Sequence, residues 1–361
     1  MRYNQGIRKI QEIAAMFEND KRTVMTLDAG GTNFVFSAIR GGKEVAGPVH
    51  RTAVTDDIQK CLETIRDGFM EIRQMLSETP AAISFAFPGP ADYENGIIGD
   101  LPNFPCFRGG VHLGDYLREA FGVPVFINND GNLYAYGEAL CGFLPEINAK
   151  LEAAGQKGFR NLLGITFGTG FGAGVVIDKI LLKGDNGCGG DVWLMRNYKY
   201  QDMIAEEGVG KRAVGRVYRE LTGSTEDLTP KDVFDIAEGL REGDAEAAKA
   251  SFRELGQTAG NAIISALNIV DGLVVIGGGV SAAAKYIMPG IMDSMRKDIG
   301  TFAGDRFPCL QMKPYNLEDP QEMEAFIADE GKKTGVAVTR IGASQAIAAG
   351  AFAYALMQLD K

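Results

Sequence analysis

Histidine is almost missing from this chain: 361 residues include two, His50 and His112, far apart in sequence. A zinc centre built on several histidines is thereby excluded, and a Ser-His-Asp triad would have to recruit one of the pair. Cysteine is sparse too. Cys61, Cys106, Cys141, Cys188 and Cys309 are odd in number and form no CxxC pair, the pattern of reduced thiols in a cytoplasmic protein. The uncharged run 162–177 is cut by glycines and shorter than the ~20 residues of a membrane span, so no membrane association is expected. The opening MRYNQGIRKIQEIAAMF has no apolar core followed by a cleavage site, and no signal peptide is expected. Basic residues are outnumbered, 37 Lys and Arg against 47 Asp and Glu, for a net charge of −10. That balance argues against a general nucleic-acid-binding surface. No GxxxxGK[ST] occurs, which removes the P-loop.

Glycine, by contrast, is abundant: 47 of 361 residues, about 13% against a usual ~7%. It follows no three-residue period, so collagen is excluded and tight turns or close backbone–ligand approaches are expected. Hydrophobic residues at 45% and charged residues at 23% are those of a globular protein, long enough for two domains.

Apolar residues at helical spacing predict one amphipathic helix in the first twenty residues, too little for a helix-turn-helix domain. Strands are expected at 23–27 and 34–39, joined by Asp28-Ala29-Gly30-Gly31-Thr32-Asn33 as a glycine hairpin. Thr55 is the expected cap of a helix running to Leu76, followed by a strand at 81–87 that ends at Pro88-Gly89-Pro90. A helix stopped by Gly122, a strand at 123–127 and a helix from about Asn132 complete a strand–helix–strand pattern of α/β type. Residues 145–160 read as a polar linker. Beyond it the opening device recurs, with strands at 161–167 and 173–177 around Gly168-Thr169-Gly170-Phe171-Gly172. This recurrence predicts an internally duplicated fold. Helices are expected at 203–221, 231–240 and 244–269, then an apolar strand at 273–276. Residues 304–335 read as a charged surface excursion, and an Ala-rich helix at 343–359 closes the chain.

Four segments carry candidate chemistry. Adjacent glycines expose backbone N–H groups that make an anion-binding concavity, and Thr32 adds a donor while Asp28 lies near a place for magnesium. The same residues also serve an ordinary hairpin turn. Gly168 to Gly174 holds four glycines in seven residues, more than a turn requires, and suits either close backbone packing or phosphate. Asp130, in Asn128-Asn129-Asp130-Gly131-Asn132, either caps the following helix or stands as a carboxylate at a strand's carboxyl end. There it would accept a proton from a substrate hydroxyl. Gly277-Gly278-Gly279 either lets a nucleotide lie against backbone or makes a tight strand-to-helix turn.

In order and spacing, these segments resemble the ROK family (repressors, open reading frames, kinases) of the actin-like ATPase superfamily, over a span from about Val24 to the terminal helix. Within it, the resemblance is to the bacterial glucokinases. It implies an α/β, two-lobed actin-like ATPase (ribonuclease H-like) fold with duplicated α/β domains and an interdomain cleft. The implied parts are an N-terminal helical extension at 1–22, a small domain at 23–130 completed by 343–361, and a large domain at 131–342. The implied activity is ATP- and Mg²⁺-dependent phosphorylation of a hexose, glucose at its 6-hydroxyl, in a cytoplasmic homodimer. By the same resemblance Asp130 is the catalytic base. Asn103, Asn129 and Asp191 are sugar ligands. Asp28, Gly30, Gly31, Thr32 and Asn33 form the first phosphate loop, with magnesium held by Asp28 through water. Gly168, Thr169, Gly170 and Gly172 form the second, and Gly277, Gly278 and Gly279 receive the adenosine.

One segment departs from the family pattern. Where a Glu-x-Gly-His stretch is usual, this chain has Asp191-Val192-Trp193-Leu194, and no cysteine follows Cys188 until Cys309. No structural zinc is therefore expected. A kinase for fructose, mannose or an N-acetylated hexosamine, a non-catalytic sugar sensor, and an ATPase with a protein client remain as alternatives.

Overall fold

The computed structural model describes residues 17, 19–29, 33–101 and 104–361. The expected N-terminal helix lies almost wholly outside them, as do Gly30, Gly31, Thr32 and Asn103. The chain divides into two compact units: residues 1–145, 183–189 and 341–361, and residues 146–182 and 190–340.

The first unit is built on strands β1 (Thr23–Ala29), β2 (Asn33–Arg40), β3 (Lys43–Thr52) and β4 (Ala82–Ala86). A short hairpin, β5 (Ala91–Asp92) with β6 (Ile97–Ile98), precedes β7 (Val125–Asn128). The sheet order is β3-β2-β1-β4-β7, with β1, β4 and β7 mutually parallel. β3 has no counterpart among the expected elements, because its residues KEVAGPVHRT carry too few apolar side chains to alternate cleanly. Helix α1 (Ile58–Met75) buries Cys61, Ile65, Phe69 and Ile72, a stripe at helical spacing that packs on the sheet. Its cap is Asp57, which accepts the Lys60 N–H at 3.1 Å, and not Thr55 as expected. Helix α2 (Leu113–Phe121) stops at left-handed Gly122, as its sequence predicts. Helix α3 (Asp130–Leu140) follows β7, and the chain leaves this unit within α4 (Phe143–Ala153). That helix replaces the expected polar linker, and its Asn148 side chain clamps both backbone groups of Phe159.

The second unit repeats the plan. Strands β8 (Leu162–Phe167), β9 (Phe171–Ile177) and β10 (Ile180–Leu181) form an antiparallel meander. Helices α5 (Lys211–Thr222), α6 (Pro230–Ala237) and α7 (Ala245–Val270) lead to β11 (Leu273–Gly277), parallel to β8. Thr229 and Asp232 form a reciprocal capping box at the start of α6. Helix α8 (Ala284–Met295), the hairpin β12 (Asp298–Gly300) and β13 (Arg306–Pro308), β14 (Lys313–Asn316), α9 (Pro320–Ala328) and β15 (Lys333–Val338) follow. The sheet order is β10-β9-β8-β11-β15-β14, so its first five strands match those of the first unit in order and direction. The fold is thus a duplicated α/β fold.

Residues 304–308 are exposed at the hairpin β12–β13, but the rest of 304–335 is no surface excursion, since β14 and β15 extend the central sheet. Their charge misled because Lys333 is buried with its ammonium satisfied by Gln156 Oε1 at 2.6 Å, by Phe326 O at 2.7 Å and by Asp329 O. The last helix, α10 (Ala343–Leu359), belongs to the first unit and packs along α3.

Candidate active site

In the first unit, the parallel strands β1, β4 and β7 present their carboxyl ends at one edge, the edge where α/β proteins gather ligands. Asp28 stands exposed near the end of β1 and makes no ion pair with a described residue. Asn33 begins β2 and is exposed. With one strand between β1 and β7, Asp28 and the segment after β7 lie about 10 Å apart along the edge.

That segment is a chain of asparagine hydrogen bonds. Asn128 Oδ1 accepts the Asn129 N–H at 2.8 Å and Asn132 Nδ2 at 3.1 Å. Asn129 is the cap of α3, its Oδ1 accepting the N–H groups of Gly131 at 2.8 Å and Asn132 at 3.4 Å. Capping is therefore done by Asn129, and Asp130 is the first helical residue. Asp130 Oδ1 accepts the Gly131 N–H at 2.9 Å, and the residue is exposed among the described residues. The surrounding protein nonetheless desolvates the carboxyl and pushes its pKa above the ordinary value. Every residue of α3 after Asp130 is buried. The helix is held by α10 at contacts only glycine permits: a Cβ on Gly137 would lie 1.9 Å from Ala346 O, and one on Gly350 1.9 Å from Leu133 O.

In the second unit the turn Gly168-Thr169-Gly170 joins β8 to β9, closed by the Gly168 N–H donating to Gly170 O at 3.1 Å. It is braced by a segment that sequence reasoning missed. The Lys211 N–H donates to Gly168 O at 3.0 Å, and the Phe171 N–H donates to Glu206 Oε2 at 3.0 Å. Both partners fall inside the helix expected over 203–221. The structure has a 3-10 turn at Ala205–Gly208, and α5 starts only at Lys211. Two glycines within three residues, Gly208 and Gly210, are the available sequence signal that no regular helix spans this stretch, and a Cβ on Gly208 would lie 2.7 Å from Asn197 Nδ2.

The triple glycine after β11 lies beside this turn, because β8 and β11 are parallel neighbours with Gly277 opposite Thr166. Gly278 has φ +89°, and a Cβ there would lie 2.4 Å from Phe167 O, so the two loops touch. Gly168 and Gly279 differ in kind: neither has positive φ, and among the described residues a Cβ on either would meet nothing within 4 Å. The described residues give no reason for glycine at these two positions. Backbone that stays bare toward open space suits a ligand that approaches it closely, as nucleotide phosphates do.

Residues 24–319 match the model of the ROK family. The chain belongs to the ROK family. It is similar to the glucokinase of Thermotoga maritima, 29% identical over 289 residues that cover 74% of this chain and 85% of that one. The crystal structure of the glucokinase from Parabacteroides distasonis is similar at 53% identity and a TM-score of 0.86, covering 94% of this chain and 99% of that chain. The fold is shared with a ROK-family glucokinase from Streptomyces griseus, solved in complex with glucose and AMPPNP, at 19% identity and a TM-score of 0.61, with coverages of 92% and 98%.

In this ROK protein Asp191 is exposed at the head of a 3-10 turn, Val192–Leu194, and its side chain forms no capping hydrogen bond. Leu194 is 53% exposed and takes no part in a core. Asn197 organises the loop beyond, its Oδ1 accepting the N–H groups of Lys199 at 3.0 Å and Tyr200 at 3.1 Å. Among the described residues, no group of three or more His, Cys, Asp or Glu side chains is arranged to hold a metal ion. Magnesium does not need such a group when phosphates and water fill most of its octahedron. One accessible carboxylate, Asp28, fits that use.

Proposed function

We propose that this ROK protein transfers the γ-phosphoryl group of ATP to a hexose, glucose at its 6-hydroxyl. The observation that carries the mechanism is the division of labour at the start of α3. Asn129 takes the cap, which leaves the Asp130 carboxylate accessible and without an ion pair among the described residues. Phosphoryl transfer asks for positioning and charge stabilisation more than covalent chemistry. Asp130 would accept the hydroxyl proton and orient the attacking oxygen. Asn103, Asn129 and Asp191 would hold the other sugar hydroxyls. Gly30, Gly31, Thr32 and Asn33, together with Gly168, Thr169, Gly170 and Gly172, would take the phosphates. Gly277, Gly278 and Gly279 would take the adenosine. Asp28 would hold magnesium through water, and the bound ion would supply charge neutralisation for the phosphates. Glucose is preferred to other hexoses because of the 53% identity to the Parabacteroides glucokinase. A cytoplasmic homodimer that binds neither nucleic acid nor membrane completes the proposal.

The test is ADP release from Mg-ATP with glucose, fructose, mannose and N-acetylated hexosamines, for the wild type and Asp130→Asn. Turnover preferring glucose and reduced at least ~100-fold by the substitution is expected. Undiminished turnover in Asp130→Asn sinks the assignment of the base. Preference for another sugar moves the specificity and keeps the chemistry.

A further inference from the structure

The turn between β8 and β9 cannot hold its own shape. Residues 168–170 are two glycines and a threonine, and one hydrogen bond, Gly168 N–H to Gly170 O, closes it. Glycine backbone explores more conformations than any other, so an unbraced turn of this composition would order itself only on contact with a ligand. A bracing side chain does occur, and it comes from 35 residues away: Glu206, whose Oε2 accepts the Phe171 N–H at 3.0 Å. A Cβ on Gly170 would lie 2.4 Å from that same oxygen, so the carboxylate occupies the space that any larger residue at 170 would need. Glu206 is itself anchored. Its carbonyl accepts the N–H groups of Val209 at 3.0 Å and Gly210 at 2.9 Å, just before the Lys211 N–H reaches back to Gly168 O.

We infer that Glu206 is a positioning residue, which pre-sets the Gly168–Phe171 turn for the nucleotide phosphates. The inference rests on the proposed ATP-dependent activity. The role needs a hydrogen-bond acceptor and not a charge. A carboxylate beside a site for phosphate repels it, so a neutral acceptor of the same length serves the turn at least as well.

Three variants separate this from other roles. Glu206→Ala leaves the Phe171 N–H without its partner. It is expected to raise KM for ATP about tenfold with KM for the sugar unchanged. Glu206→Gln is expected to return KM for ATP to the wild-type value or below. Hydrogen exchange of the free protein supplies a readout independent of turnover: the Phe171 amide exchanges faster in Glu206→Ala and at the wild-type rate in Glu206→Gln. Gln failing alongside Ala, or an effect confined to the sugar KM, overturns the inference and makes Glu206 a charged substrate contact. Unchanged Phe171 exchange in Glu206→Ala overturns it as well. A wild type that releases no ADP with any sugar defeats the proposed function instead, and the exchange comparison still reports on the brace.

Discussion

Asn129 and Asp130 are neighbours with opposite duties. The first spends its side-chain oxygen on the N–H groups of Gly131 and Asn132, and the second keeps its carboxylate accessible. A cap and the proposed base at one helix start require two residues, and Asn129 and Asp130 stand in that order.

Removing the cap is expected to cost both stability and activity. Asn129→Ala should destabilise by about 1 kcal/mol, read as a fall of roughly 2–4 °C in Tm. Asn129→Asp keeps an oxygen for the same two N–H groups and should restore Tm. It should not restore kcat if the amide nitrogen holds a sugar hydroxyl. Thermal melts and steady-state kinetics on the two variants distinguish the duties. Full activity in both would assign Asn129 to the helix alone.

The glycines of the second unit divide into those the fold needs and those it does not. Gly168→Ala and Gly279→Ala should leave Tm within about 1 °C of the wild type, since a Cβ meets nothing within 4 Å at either place among the described residues. Their ATP affinity should nevertheless fall, about tenfold or more, because the methyl would enter the space proposed for the nucleotide. Gly278→Ala meets φ +89° and Phe167 O at 2.4 Å, and should lose roughly 1–3 kcal/mol of stability. Calorimetric titration with AMPPNP beside thermal melts checks the contrast. Wild-type nucleotide affinity in both of the first two variants would remove these loops from the site.

Activity should have an acid limb set by Asp130. Desolvation by the surrounding protein raises its pKa above the ordinary 3.8, so the carboxyl holds its proton to a higher pH than an unperturbed aspartate does. A base must be unprotonated to act. kcat should therefore be level at higher pH and fall as pH drops through the raised pKa. A profile that stays level down to pH 3.8, with the fold intact by circular dichroism, would contradict this.

Much of this architecture is legible in the residues. The two glycine hairpins, the apolar strand β11 and the terminal helix stand out because period and punctuation agree there. Asp130 stands out as well, although whether it capped or not depended on which of two adjacent side chains turned toward the helix, and composition does not decide that. Three misreadings share one cause, tertiary contacts acting on polar sequence. The charged stretch around Lys333 enters the sheet because three oxygens satisfy its ammonium, one of them from distant Gln156. The polar stretch at 145–160 begins as helix α4. Glu206 is unremarkable among neighbouring acids until the fold brings it under Gly170.

The glycine contact of α3 with α10 has a consequence for synthesis. Gly350 seats against Leu133, and the helix that presents Asp130 thus rests on residues translated after the whole of the second unit. Domains emerging from the ribosome commonly fold in the order they are made. Here the amino-terminal unit cannot complete its α3–α10 layer until residues 343–359 have been made, after every residue of the other unit. During that interval the apolar face of α3 lacks its partner, so the last helix is where a nascent chain of this protein passes from an incomplete sheet-and-helix layer to a finished one.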